Sequence, residues 1–173
     1  MLENKDWRIS LRKLFSECFK RGGKVLIIGV GNLMREDDFV GSYIARELLR
    51  QFKGRFEGKV MVIDAGPSPE NSVSSVHRFE PSLVLFIDAI HAALEPGSII
   101  LLNLKGVEYQ DVLTHTIPIS FLIKVMDPDD KIDFYLLGFQ PKKVGFGERM
   151  SEEIYRAAKE AIAFLRSILK EQK

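Results

Sequence analysis

A chain of 173 residues, 46% hydrophobic and 28% charged, can build one well-cored domain and is short for two. Its formal net charge of +1, with Lys and Arg spread along the chain, excludes the basic footprint of a nucleic-acid binder. The single cysteine, Cys18, excludes an internal disulfide and a cysteine-rich zinc site, and no apolar run approaches the length of a membrane span.

The first stretch, MLENKDWRISLRKLF, is charged throughout and lacks an apolar core of secretory-signal length, so a soluble, cytoplasmic protein is expected. Residues 5–21 place Trp7, Leu11, Leu14, Phe15, Cys18 and Phe19 at helical spacing, and Gly22 with Gly23 stops the helix. Cys18 lies on that apolar stripe and reads as a buried, inert thiol. VLIIGV (25–30) is a continuous apolar run, the mark of a strand covered on both faces. Asp38 is expected to open a second helix with Val40, Ile44, Leu48 and Phe52 in one row, ended by Gly54. VMVIDA (60–65) is a second buried strand, Ser68 and Pro69 start a short helix through Val73, Val76 and His77, and LVLFIDAI (83–90) is a third strand.

Strands alternating with helices predict parallel βαβ units. The next run, SIILLNL (98–104), follows after only HAALEPG, too short for a parallel crossover, so it should pair antiparallel. Pro118 opens a helical pattern of Phe121, Leu122, Val125 and Met126, and FYLLGF (134–139) is a last strand. Ser151, with Glu152 and Glu153, caps a C-terminal helix through Ile154, Ala158, Leu165 and Ile168. The expected fold is α/β, a three-layer sandwich with a mixed, mostly parallel five-stranded sheet between helices. Residues 1–23 form an N-terminal helical extension and 24–173 a single domain.

The loop IIGVGNLMREDDFVG (27–41) begins as a dinucleotide-binding turn and does not finish as one. Met34 stands where a third glycine belongs, and Asp37 and Asp38 would face any pyrophosphate, which argues against a nucleotide-binding oxidoreductase. Ligand sites of open α/β sheets lie beyond the carboxyl ends of the strands, and there this chain brings Asp38, Asp64 and Asp88. Each has a structural alternative. Asp37 or Asp38 would serve as a helix N-cap, and Asp64 would organise the Gly66–Pro67 turn. Asp88 precedes Ala89 and Ile90 rather than turn residues, so its charge needs a specific partner. His115 lies in the loop THTIPIS; His77 and His91 read as structural or solvent-facing. Two carboxylates and an imidazole suit a borderline divalent ion such as zinc, nickel or manganese, with positions left for substrate or water. The sequence holds no GxSxG, HExxH or Walker loop, and the absence of a plausible Ser, Cys or Thr nucleophile beside a base argues against an acyl-enzyme.

In order, GVGNLMREDDFVG, VIDAGPSPEN, LFIDAI with the following EPG, THTIPISFLI and LLGFQPKKVGF resemble the motifs of the NiFe-hydrogenase maturation endopeptidases, over about residues 24–165. VIDAGPSPEN and THTIPISFLI are most similar to the branch serving formate-hydrogenlyase-type hydrogenases. The resemblance implies a mixed five-stranded sheet between helices and removal of a C-terminal extension from a hydrogenase large-subunit precursor once its nickel is installed. It implies Asp38, Asp88 and His115 as the metal-binding and catalytic residues, with Asp64 in a supporting or substrate-facing role. Phe39 and Ala65 depart from the family pattern beside the acids without replacing a ligand.

Nickel is then expected to come with the substrate, while zinc, manganese or cadmium would occupy the site in vitro. The expected partner is the precursor, with no nucleic acid and no membrane insertion, and the chain itself a monomer or weak homo-oligomer. The alternative on the same residues is a non-cleaving, metal-dependent checkpoint protein for that precursor.

Overall fold

The computed structural model describes residues 6–52, 58–105 and 119–171. Helix α1 (Trp7–Lys20) starts at Asp6, whose side chain accepts a hydrogen bond from the Arg8 N–H, and buries Trp7, Leu11 and Phe15. Strand β1 (Val25–Val30) is buried along its whole length, as its uninterrupted apolar run requires. A single 3₁₀ turn (Glu36–Phe39) leads into α2 (Val40–Phe52), so Asp38 sits inside a tight turn and not at a helix cap.

Strand β2 (Val60–Gly66) is followed by a 3₁₀ turn (Pro69–Ser72) and α3 (Val73–Phe79), and β3 (Leu83–Ala89) is buried throughout. Strand β4 (Ile99–Asn103), α4 (Ile119–Met126), β5 (Asp133–Phe139) and α5 (Glu152–Lys170) complete the order. Ser151 caps α5 by accepting a hydrogen bond from the Ile154 N–H.

The sheet runs β2-β1-β3-β5-β4. β1, β2, β3 and β5 are parallel and β4 is antiparallel to β5. The short connector therefore produces an antiparallel strand as expected, but β5 inserts between β3 and β4. Ile90 and Gln140 stitch the start and end of that connector to the β5 end through Ile90 N–H to Phe139 C=O and Gln140 N–H to Ser98 C=O, both 2.9 Å.

Alternation along the strands splits the core in two. Val25, Ile27, Leu83, Leu85, Ile87, Leu137 and Phe139 pack under α1, α2 and α5. Leu26, Ile28, Val84, Phe86, Phe134 and Leu136 pack under α3 and α4. The three layers follow, and α1 contributes Trp7, Leu11 and Phe15 to the same cluster as α5. On α4 the buried side chains are Ile119, Leu122 and Met126, while Phe121 and Val125 point outward. Helix α2 lies unusually close to the sheet because Gly41 has no side chain: a Cβ there would stand 2.0 Å from the Ile87 carbonyl oxygen and 2.3 Å from that of Val30.

Candidate active site

The chain leaves β1 in one direction to form β2 and returns past it to form β3, so β1 and β3 flank a point where the strand order reverses. A crevice opens at the carboxyl ends of strands at such a point. Asp38 and Asp88 stand there, at the mouths of these two neighbouring strands, and the 3₁₀ turn carrying Asp38 packs against β3.

Asp38 is 4% exposed. Its Oδ2 accepts a hydrogen bond from the Asn32 N–H at 3.0 Å, and among the described residues no donor meets its Oδ1. The turn between them is closed by Asn32, whose Oδ1 accepts from the Met34 N–H at 2.9 Å. Gly31 makes the turn possible by close approach, because a Cβ there would lie 2.1 Å from the Asp38 carbonyl oxygen. Gly31 thus folds the loop against its own acidic turn, while Gly29 admits α2, a Cβ there lying 2.2 Å from the Gly41 carbonyl oxygen.

Asp88 is 2% exposed, and its Oδ1 accepts from the Ala89 N–H at 2.8 Å. It falls on the α3/α4 face of β3, where it lines a small recess with Val30, Pro69, Phe86, Leu104, Ile119 and Leu136. A buried carboxylate in such surroundings needs hydrogen bonds or a cation to hold its charge.

Asp64 takes a different direction. It follows Val60 and Val62 onto the α2 face of the sheet, opposite to Asp88. There its Oδ2 accepts from Arg46 Nε at 2.5 Å and its Oδ1 from the Gly66 N–H at 3.0 Å. Burial pushes this carboxyl up, but the hydrogen bonds from Arg46 and Gly66 outweigh it and hold the group below the ordinary aspartate value of 3.8. The Arg46 guanidinium also lies over the Phe39 ring, 5.1 Å from its centroid. Asp64 thus organises the Gly66 turn, as its structural reading holds, and ties it to α2. A bulge at the end of β2, where Gly29 pairs with Asp64 and Val30 with Gly66, marks the place.

Asp37 carries a role the sequence did not disclose. It is fully buried and accepts from the backbone N–H of Lys142 (2.9 Å), Lys143 (2.9 Å) and Ser151 (2.6 Å) and from Ser151 Oγ (2.9 Å). The neighbouring Glu36 accepts from Lys143 Nζ (2.8 Å) and the Gly145 N–H (2.9 Å). Together they clasp the acidic turn to the segment between β5 and α5. Gln140, 8% exposed, does the same for the loop after β3 by accepting from the N–H groups of Ala92 (2.8 Å) and Leu94 (3.2 Å).

His115 and Pro118 lie outside the described residues. Among the described residues no three His, Cys, Asp or Glu side chains are close enough together to hold a metal ion. His77 bonds the Val125 carbonyl oxygen through Nε2 at 3.0 Å, and His91 is exposed. Cys18 is half-buried, and burial first, with the Asp133 charge second, pushes its thiol above the ordinary value of 9.0. No helix among the described residues is long and apolar enough to cross a membrane.

Residues 42–168 match the family model of the HycI hydrogenase maturation proteases. The chain is 32% identical over 130 residues to the hydrogenase 3 maturation protease of Escherichia coli K12, a match covering 75% of this chain and 80% of that one. Its fold superposes on the crystal structure of the HycI maturation protease from Thermococcus kodakarensis with a TM-score of 0.81 at 31% identity, covering 93% of this chain and 99% of the other. The E. coli maturation endopeptidase HybD, at 16% identity and a TM-score of 0.68, shares the fold.

Proposed function

This chain belongs to the hydrogenase maturation protease family and is a peptide-bond hydrolase; from that footing we propose that it removes the C-terminal extension of a NiFe-hydrogenase large-subunit precursor after nickel insertion. The observation that carries the reading is the pair of buried carboxylates, Asp38 and Asp88, at adjoining strand mouths on the matched fold.

The chemistry of the two carboxylates supports a place for a borderline divalent metal. Asp38 presents an oxygen without a donor among the described residues, and Asp88 stands at the edge of an apolar recess. Two hard oxygens and the imidazole of His115 would complete a three-ligand set that leaves positions for substrate. Nickel in this reading arrives as part of the substrate, and its contribution is to polarise the peptide carbonyl or a water molecule. Asp38 and Asp88 engage the nickel-bearing region and fix the scissile bond against the strand ends. A carboxylate there also takes the proton of the attacking water and returns one to the leaving amine, so the hydrolysis balances. The recess beside Asp88 is apolar, which limits competing water. Nickel-free precursor lacks the group these ligands hold and is not cut.

The test is the intact mass of nickel-loaded and nickel-free precursor before and after incubation with the protein. A discrete C-terminal loss in the loaded sample alone is the expected result. Binding without a change in mass would replace the reading by a non-cleaving checkpoint.

A further inference from the structure

Three apolar side chains at the outer edge of the site are exposed: Leu33 by 43%, Met34 by 37% and Phe146 by 84%. Single apolar residues on a surface are ordinary, but the two loops that carry these three are fastened together. The Met34 C=O accepts from the Gly147 N–H at 2.9 Å, and the Glu36 N–H donates to the Gly147 C=O at 2.8 Å. Arg35 and Gly147 thereby form a one-residue parallel bridge between the loop after β1 and the loop before α5.

The base of this bridge is rigid. Glu36 holds a left-handed backbone (φ 52°), which a non-glycine residue keeps only where its surroundings enforce it. The bonds from Glu36 to Lys143 and Gly145, and the buried Asp37 beneath, supply that enforcement. Phe146, between Gly145 and Gly147, is displayed on a fixed platform. A surface already held in one shape binds at lower entropic cost.

Resting on the reading of the chain as a precursor-cutting peptidase, we propose that Leu33, Met34 and Phe146 form its substrate-specificity rim, seating an apolar stretch of the precursor beside the bond to be cut. The occupant follows from continuity with the site. The loop that presents Leu33 and Met34 also supplies the Asn32 N–H that bonds the Asp38 carboxylate. A peptide whose backbone reaches Asp38 therefore runs on past this rim, and apolar side chains are what three exposed apolar groups retain.

Two variants test the rim: Phe146→Ser, and Leu33→Ser with Met34→Ser. Cleavage of nickel-loaded precursor is followed at varied precursor concentration, with urea unfolding as the control on the fold. Each variant should raise KM about tenfold, leave kcat nearly unchanged and keep the wild-type unfolding midpoint, while Phe146→Leu restores most of the loss. Unchanged KM in both variants overturns the rim, as does a fall in kcat alone. A wild-type dimer that Phe146→Ser dissolves also overturns it, because the surface would then belong to a second copy. If the wild-type protein binds precursor without cutting, the peptidase reading fails by itself. The rim is then judged on the dissociation constant, with the same tenfold weakening expected.

Discussion

Asp37 and Ser151, separated by 114 positions, share two hydrogen bonds in the interior: the Ser151 N–H to Oδ1 at 2.6 Å and the Ser151 hydroxyl to Oδ2 at 2.9 Å. The same serine caps α5. One residue pair thus joins the turn that carries Asp38 to the start of the longest helix.

Replacing Asp37 by Ala should leave the buried Ser151 N–H and hydroxyl, and the partly buried N–H groups of Lys142 and Lys143, without their acceptor. The expected loss is about 3 kcal/mol of unfolding free energy, larger than the roughly 1 kcal/mol for Ser151→Ala, which loses the cap and one of the four hydrogen bonds to Asp37. Urea unfolding of both variants checks the order. Equal losses would show that Asp37 is no more than a partner of the cap.

Asp38→Asn and Asp88→Asn keep side-chain volume while removing the charge. Each should lower cleavage of nickel-loaded precursor by at least about a hundredfold with little change in the unfolding midpoint. His115→Ala should do the same. Full activity in all three variants would remove the proposed site.

The Asp64 carboxyl is held below 3.8 in the folded chain, so its contribution is fully present above that value and is lost as pH falls through the lowered one. Acid should therefore weaken the wild-type protein more steeply than Asp64→Asn across that window. The partner Arg46 is 52% exposed, which keeps the difference near about 1 kcal/mol. Parallel stability curves from pH 5 downward would show that the pair contributes nothing.

Gly41→Ala should drive α2 off the sheet, since the added methyl would meet the Ile87 and Val30 carbonyl oxygens at 2.0 and 2.3 Å. A loss of about 2–3 kcal/mol is expected from overpacking against backbone, with impaired cleavage because the turn holding Asp38 leads directly into this helix. A variant as stable and active as wild type would mean that the helix can shift freely.

Cys18 should react slowly with a disulfide reagent at pH 8, at least about tenfold slower than the same thiol after unfolding, because burial keeps its thiolate scarce. Equal rates would mean that the apolar stripe of α1 does not shelter it.

Local pattern carried much of the architecture. The uninterrupted runs of β1 and β3 are buried along their length, and the capping serine of α5 stands where its sequence neighbours put it. The insertion of β5 between β3 and β4 was hidden, because pairing partners of a strand are not written in its own residues. At the site, Asp38 and Asp88 could be picked out as acids at strand ends, but nothing local distinguishes Asp37 from Asp38. Their roles diverge through partners more than a hundred residues away: the donors to Asp37 are Lys142, Lys143 and Ser151, whereas Asp38 takes its bond from nearby Asn32. Asp64 and Asp88 both close apolar strands and differ in the residues that follow them, and strand alternation sends Asp64 to the other face of the sheet. A sharper reading of period two along VMVIDA would have separated them.

The clasp between residues 36–37 and 142–151 also sets a birth order. During synthesis, at roughly 5–20 residues per second, β1 and its acidic turn emerge long before the segment that fastens them. Until Lys142 to Ser151 are available, the Asp37 carboxylate has none of these donors and Glu36 has nothing to hold its left-handed backbone. A ribosome-bound chain stalled before Met150 should therefore cut no precursor, and activity should appear once Ser151 and α5 have been made and released. Precursor cutting by the stalled chain would refute this. The acidic turn after β1 thus stays unfastened until the chain has been made through Ser151.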